Sequence, residues 1–411
     1  MATAVRTERA VSRRAGAGLV LLLGAAIFLN YVDRGAIAVA APLMKGELGL
    51  SATEFGLAVS AFFWVYAPVQ LCAGWLCDRF SVYNLIAGGI VLWAGSTFLM
   101  GLVGGFLSLL VLRVMLGVGE SIAFPGASKV IARHIPAERR GAANAAVAAG
   151  IALGPAVGTL AGGLIVASQG WRPMFFIFGL ATLIWLLPWQ RVVRALPKSG
   201  HLDGGAPVPL RQLLGKWPLW SMSIVHSLGN YCFYFLLTWM PLYLTSSRGF
   251  TITQMTLLAS LGFAVQAACA LGYGQFSDWW TRSGRNEAAC RRWMMVFSQI
   301  LAAIAILGLG FAHTALQIGL LLCLAGAASA SLSLNLYAVA QMFAGPRASG
   351  TWVGFQNALG NLSGIFGPVV TGIIVDRAGY ASAFVLTAAV AAAGALWWAF
   401  CVPPIRRVAI D

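Results

Sequence analysis

Along this chain the apolar positions come in long blocks, with neither a one-sided 3.6-residue pattern nor strict alternation. Windows of about 20 apolar residues recur from end to end, the length an α-helix needs to cross roughly 30 Å of hydrocarbon. We read twelve such windows, at 18–44, 55–77, 83–103, 106–132, 141–166, 172–190, 219–243, 254–276, 294–312, 315–341, 350–374 and 381–403. A helix satisfies its own backbone within one segment, so helices are the form that repeated apolar windows take in lipid. The longest gap, 191–218, holds Pro197, Gly200, Gly204, Gly205, Pro207 and Pro209 and reads as a linker. The expected fold class is therefore an all-α membrane protein of twelve transmembrane helices in two pseudo-symmetric six-helix bundles. The bundles occupy 18–190 and 219–403, with short tails at 1–17 and 404–411.

Composition agrees: of 411 residues 59% are hydrophobic and 9% charged, with a mean hydropathy of +0.82. Soluble domains carry about 25% charged residues. A net charge of +15 would suit a nucleic-acid partner, but its placement argues otherwise. With the N-terminus on the cytoplasmic side, 20 of the 27 Lys/Arg fall in the termini and even-numbered loops, and only Lys45, Arg172, Arg248 and Arg377 fall opposite. That asymmetry sets orientation in a cell (inner) membrane, both termini cytoplasmic, and excludes a nucleic-acid footprint. Arg34, Arg113 and Lys129 lie within spans. The first apolar run, with Ala38-Val39-Ala40, superficially resembles a signal peptide. It is too long and is interrupted by Asp33-Arg34, so it reads as an uncleaved span. None of the seven Cys falls in an expected external loop, so no disulfide is expected.

The two halves echo each other. Gly74-Trp-Leu-Cys-Asp78 ends the second span and Gly274-Gln-Phe-Ser-Asp278 the eighth. Gly154-Pro155 is followed by Gly170-Trp171, and Gly367-Pro368 by Gly379-Tyr380. Ordered matches at equivalent spans indicate duplication, the construction of many secondary transporters, whose substrate site lies near the midplane between repeats. Over essentially its whole length the chain resembles the major facilitator superfamily. Gly74-x-Leu76-x-Asp78-Arg79 is similar to that family's loop motif, although Ser81, Val82 and Tyr83 replace the Gly and basic residues that usually follow. Arg113-x-x-x-Gly117-x-Gly119 is similar to its fourth-span motif. Gating roles are expected at Asp78, Arg79 and Asp278.

Of the twelve acids, Asp33 and Glu120 lie deep in spans. Ionisable groups there cost several kcal/mol, roughly 2.5–3.5 on insertion scales, and are usually functional. Burial and a neighbouring guanidinium act oppositely on a carboxylate's hold on its proton, which makes such groups proton carriers. Arg stays charged, and its fork matches a carboxylate. Arg113 and Glu120, seven residues apart, share a helix face at a separation of roughly 10 Å. Tyr31 and Arg34 share a face, while Asp33 is turned about 100° from Arg34. The expected roles are proton carriage by Asp33 and Glu120 and anion reception by Arg34, helped by Arg113. Fixed ion pairs that merely hold helices together are the competing explanation, weakened because buried pairs contribute little stability. Whether Asp33 pairs with Arg34, Arg113 or neither is left open.

Asn30-Tyr31-x-Asp33-Arg34, Tyr66 and Arg113 with Glu120 before Phe124-Pro125 resemble the anion:cation symporter family within the superfamily. The resemblance implies proton-driven uptake of an organic anion, proton-linked roles at Asp33 and Glu120, and substrate contacts at Tyr31, Arg34 and Tyr66. Asn357-x-x-x-Asn361 resembles the family's polar substrate face. Where sugar-acid members carry a Gln after a Gly in the fifth span, this chain has Gly150-Ile151, which favours a less hydroxylated carboxylate.

Further hydrogen-bonding candidates are Asn230, Tyr231, Tyr234, Ser333, Asn335, Tyr337 and Gln341. Of these, Asn335 and Tyr337 join the expected substrate contacts, although polar residues in spans also serve as interhelical glue. His226 reads as a packing histidine before a proton relay. Gly150, Gly154, Gly158 and Gly162 form a close-packing stripe. Lys129 is expected to snorkel to the cytoplasmic surface. Partners are a small organic anion and the lipid bilayer, the chain acting as a monomer; no cofactor or metal is expected, protons being the coupling ion. Gly154-Pro155 with Gly158 also resembles an antiporter motif, so a drug or cation antiporter is the alternative, disfavoured by two arginines within the spans. No His-Glu-x-x-His or Gly-x-Ser-x-Gly is present, so an enzyme is not expected.

Overall fold

The computed structural model describes residues 13–135, 137–196 and 208–409, all helix and connecting turns. The helices of the first half are α1 (Arg13–Glu47), α2 (Ala52–Arg79), α3 (Val82–Met100), α4 (Phe106–Glu120), α5 (Ala123–His134), α6 (Ala137–Gln169), α7 (Trp171–Ile184) and α8 (Leu186–Ala195). After a short α9 (Leu210–Leu214) come α10 (Trp217–Leu242), α11 (Ile252–Arg282), α12 (Glu287–Phe311), α13 (Ala315–Gly360) and α14 (Leu362–Leu396). α4 with α5 forms one crossing and α7 with α8 another. Within α13, Gly345 breaks the helix at φ 66°, and Gly379 breaks α14 at φ 74°. Among the described residues ten helical runs are long and apolar enough to cross a membrane. The last, Ala348–Cys401, contains the Gly379 break and so makes two crossings. α10, interrupted by His226, Asn230, Tyr231 and Tyr234, completes the twelve. Of the expected linker, residues 197–207 lie outside the described residues.

Local chemistry places the boundaries. Ser51 with Glu54, Thr251 with Gln254 and Thr314 with Gln317 form capping boxes that start α2, α11 and α13 by satisfying orphan N–H groups. The chain reverses at Gly49 (φ 64°) between the first two crossings and at Gly249 (φ 68°) between the seventh and eighth. Gly170 (φ 88°) and Gly379 (φ 74°) make the same paired reversal before Trp171 and Tyr380. Only glycine adopts this backbone without strain, so the duplication read from the sequence recurs in the geometry.

The glycine stripe of α6 lies on α1. A Cβ at Gly150 would meet Gly24 O at 2.7 Å, at Gly154 the Tyr31 Cβ at 2.5 Å, and at Gly158 the Val32 Cα at 2.7 Å. Backbone therefore packs on backbone, the approach that small residues permit.

Between the halves, contacts gather toward the end of the bundle opposite the termini. The backbone N–H groups of Ala52 and Thr53 donate to the Asp376 carboxylate at 3.1 and 2.8 Å, and Thr53 Oγ1 donates to it at 2.6 Å. Deeper, Ser60 Oγ donates to Ile365 O at 2.7 Å, and Gly56 lies where a Cβ would be 2.3 Å from Pro368 O. Gly163 is equally tight against Thr256 of α11.

Candidate functional site

α1 carries Asn30, Tyr31, Asp33 and Arg34 to mid-depth, where α2, α3 and α4 surround them. The i, i+3, i+4 spacing explains their grouping: Arg34 stands over the Tyr31 ring, 4.9 Å from its centroid, and its Nε donates to Asn30 Oδ1 at 3.1 Å. The same Nε donates to Glu120 Oε2 at 3.2 Å, an ion pair with the glutamate side chain fully buried. Two rings from α2, Tyr66 at 4.6 Å and Phe62 at 5.4 Å, complete a cage around the guanidinium.

Asp33 points the other way, as its angular offset requires. Trp93 Nε1 donates to Asp33 Oδ2 at 2.5 Å and Thr97 Oγ1 donates to the same oxygen at 3.4 Å, both from α3. The aspartate thus pairs with neither arginine.

Arg113 turns toward the backbone of α2. Its Nε donates to Ala58 O at 3.2 Å and its Nη2 to Val59 O at 3.1 Å, so it ties α4 to α2 through backbone. The motif it belongs to packs at the same contact, since a Cβ at Gly117 would lie 2.2 Å from Phe62 O. Four polar atoms remain buried without a partner in this cluster: Asn30 Nδ2, Asp33 Oδ1, Arg34 Nη2 and Glu120 Oε1. Buried polar groups are ordinarily satisfied, so four such atoms in one cluster set it apart.

The second half presents a hydrogen-bonded relay. Tyr337 Oη donates to Asn357 Oδ1 at 2.9 Å, and Asn357 Nδ2 crosses to Gln70 Oε1 of α2 at 2.8 Å. Tyr234 Oη donates to Asn361 Oδ1 at 2.7 Å, and Asn361 Nδ2 to Asn357 O at 2.8 Å. α13 ends and α14 begins at Asn361, interrupting this crossing near its middle, and Asn230 Nδ2 donates to the freed Gly360 O at 3.2 Å. Glycine is required at 360 because a Cβ would lie 2.5 Å from the buried His226 ring.

Several expected site residues lie elsewhere. Asn335 accepts from Arg291 Nη1 at 2.9 Å and donates to Ser331 O, which places it at the α12–α13 contact, apart from the relay. It is fully buried among those partners. Lys129, half-buried, donates to Cys77 O at 2.6 Å near the termini-side end of α2, bracing α5 on α2. Arg79 and Asp278 are exposed near the termini-side ends of α2 and α11; the Asp78 side chain lies outside the described residues. The sequence reading missed Trp93, Thr97 and Gln70. The one available signal was the indole N–H, which needs a partner when buried. Among the described residues no group of three or more His, Cys, Asp or Glu is placed to hold a metal ion.

Twelve crossings in two repeated halves, with charges buried at mid-depth among the helices of the first half, define a multi-pass membrane transporter. Residues 23–290 and 283–410 match the family model of the Major Facilitator Superfamily, and the chain belongs to that superfamily. It is accordingly a transporter and not an enzyme. The chain is 30% identical to a probable sulfoacetate transporter of Cupriavidus necator over 90% of each chain. It is 27% identical to a probable galactarate/D-glucarate transporter of Bacillus subtilis, covering 95% of this chain and 93% of that one. The resemblance to anion-carrying members is thus found in named relatives. Among solved structures, a bacterial homologue of the human lysosomal transporter Spinster, inward-facing and occupied, superposes with a TM-score of 0.81. At 20% identity over 96% of this chain and 98% of that chain, it shows the fold alone.

Proposed function

We propose that this protein is a proton-coupled symporter that imports an organic carboxylate across the cell (inner) membrane by alternating access, with both termini cytoplasmic. The observation that carries the reading is the Arg34–Glu120 pair, 3.2 Å apart, with Arg34 Nη2 and Glu120 Oε1 left without partners. A substrate carboxylate that takes the guanidinium displaces Glu120. An unpaired buried carboxylate is costly, so Glu120 takes up a proton as the anion binds, and the two ligands are linked reciprocally. Asp33, held by Trp93 and Thr97 away from both arginines, is the second proton position. Its neutral form removes a charge that would otherwise oppose movement through the membrane.

Tyr31 and Tyr66 flank the anchor, and Tyr337, Asn357 and Asn361 form the opposite wall from the second half. The contacts between Asp376 and Thr53 correspond to closure of the extracellular end; rocking of the halves exposes each end in turn. Asp78, Arg79 and Asp278 act as gating groups at the cytoplasmic end. The protein works as a monomer with protons as its coupling ion. The names of the two relatives, both transporters of acids, support an anion as cargo. The antiporter alternative is disfavoured by the Arg34 guanidinium at the site, an unsuitable host for a cationic guest.

The test is uptake of a carboxylate panel into proteoliposomes with and without an imposed pH gradient. Asp33→Asn and Glu120→Gln are expected to abolish gradient-driven accumulation while Glu120→Gln retains exchange. Undiminished accumulation in both variants overturns the proton assignment.

A further inference from the structure

The turn between α11 and α12 carries aromatic rings and guanidinium groups that the Arg34 site does not use. α11 exposes Leu257 and Leu261 along its apolar length, and Trp279, about five helical turns beyond Leu261, ends the same face. Trp279 is 53% exposed, and Phe276, one turn deeper, is 42% exposed. The Phe276 ring lies 5.9 Å, between centroids, from both the Trp279 and the Trp280 rings. Indoles exposed at the end of a membrane-long apolar run, here Ile252–Arg282, sit where hydrocarbon meets water.

Beyond that run the chain folds back over the rings. Gly284 reverses it at φ 76°, Trp280 Nε1 donates to Asn286 O at 3.2 Å, and Ser283 Oγ donates to Trp280 O at 2.7 Å. The reversal sets the Arg285 guanidinium 4.7 Å from the Trp280 ring centroid and 5.4 Å from that of Trp279. Arg285 is thus seated on aromatic faces, which attract a cation and leave its N–H fork free. Among the described residues no acid pairs with it, or with exposed Arg282, whose Nε donates to the Asp278 backbone carbonyl at 3.2 Å. The Asp278 carboxylate on the same turn meets neither arginine, and Glu287 is taken by Arg291 Nε at 2.7 Å. Two guanidiniums without acid partners therefore stand at the membrane surface, and a basic side chain there attracts an anionic lipid by about 1 kcal/mol.

We propose that the α11–α12 turn binds the headgroup of an acidic phospholipid. The lipid phosphate takes the Arg285 and Arg282 forks, whose planar geometry suits phosphate oxygens, and the acyl chains run along α11 beside Phe276, Trp279 and Leu261. This site is independent of the Arg34 cluster and of the cargo.

Purified full-length protein, delipidated in detergent, is titrated with phosphatidylglycerol or with phosphatidylcholine of the same acyl chains, and bound lipid is counted by native mass spectrometry. The tightest phosphatidylglycerol is expected to bind about fivefold or more tightly than phosphatidylcholine. Arg285→Ala should weaken it about three- to tenfold and Trp279→Leu about two- to fivefold. Both side chains are exposed, so melting temperatures should stay at the wild-type value. Arg211→Gln, at an exposed arginine on the same side of the membrane, should change the affinity less than about twofold. Excess inorganic phosphate should leave the lipid in place. Wild-type affinity in Arg285→Ala or Trp279→Leu, or equal binding of the two lipids, overturns the site. Equal weakening by Arg211→Gln and Arg285→Ala reduces the effect to diffuse basic attraction and overturns it too. Displacement by inorganic phosphate overturns the lipid as occupant.

Discussion

Arg34 on α1 and Glu120 on α4 share a single contact, Nε to Oε2 at 3.2 Å, while each retains one buried polar atom without a partner. The pair is therefore incomplete on both sides, and a carboxylate ligand that takes Nε and Nη2 together releases the glutamate. Glu120→Gln should keep carboxylate binding but remove its linkage to protons, measured as dissociation constants across a pH series. Arg34→Lys keeps the charge and loses the fork, and should weaken binding about ten- to hundredfold.

Asp33 is oriented by an indole. Trp93→Phe keeps an aromatic ring, smaller than the indole, and removes the N–H that reaches Asp33 Oδ2. Its expected effect is a slower initial rate of gradient-driven uptake with carboxylate binding at fixed pH unchanged. If exchange slows as much as driven uptake, Trp93 serves packing and not the proton step.

The first N–H groups of α2 close on Asp376 of α14. A carboxylate at a helix N-terminus is favourably placed, and this one joins the two halves. Because Asp376 is exposed, Asp376→Asn should shift the equilibrium toward opening of this end by about fivefold, the order of 1 kcal/mol typical of exposed ion contacts. Spin-label distances between the ends of α2 and α14 read the shift directly.

Two glycine substitutions should separate conformational from folding effects. A Cβ at Gly56 would strike Pro368 O across the halves at 2.3 Å, whereas one at Gly158 would strike Val32 within the first half at 2.7 Å. Gly158→Ala should lower thermal stability, by about 1–3 kcal/mol as overpacking generally does. Gly56→Ala should leave the melting temperature nearer wild type, but should populate the state opened at that end and slow transport.

Much of this protein follows from its sequence alone. Twelve crossings were legible because a helix in lipid must be long, apolar and self-satisfied. The duplication was legible in ordered matches such as Gly170-Trp171 and Gly379-Tyr380, and the structure gives both glycines the same positive-φ reversal. The opposite directions of Arg34 and Asp33 were legible too, since a one-residue step turns a helical side chain by about 100°. What tertiary structure alone decided is which group meets which. Arg113, Lys129 and Asn335 carry the same donors and acceptors whether they meet a substrate, a helix carbonyl or one another. Packing committed Arg113 to Ala58 and Val59, Lys129 to Cys77 and Asn335 to Arg291. It likewise set Trp93 beside Asp33, from a span with no charge to draw attention to it. Hydrogen bonds and ion pairs act over about 3 Å between groups that can be 60 or 86 residues apart in the chain. Local pattern determines which helix face a group occupies, and only the assembled bundle determines what that face touches.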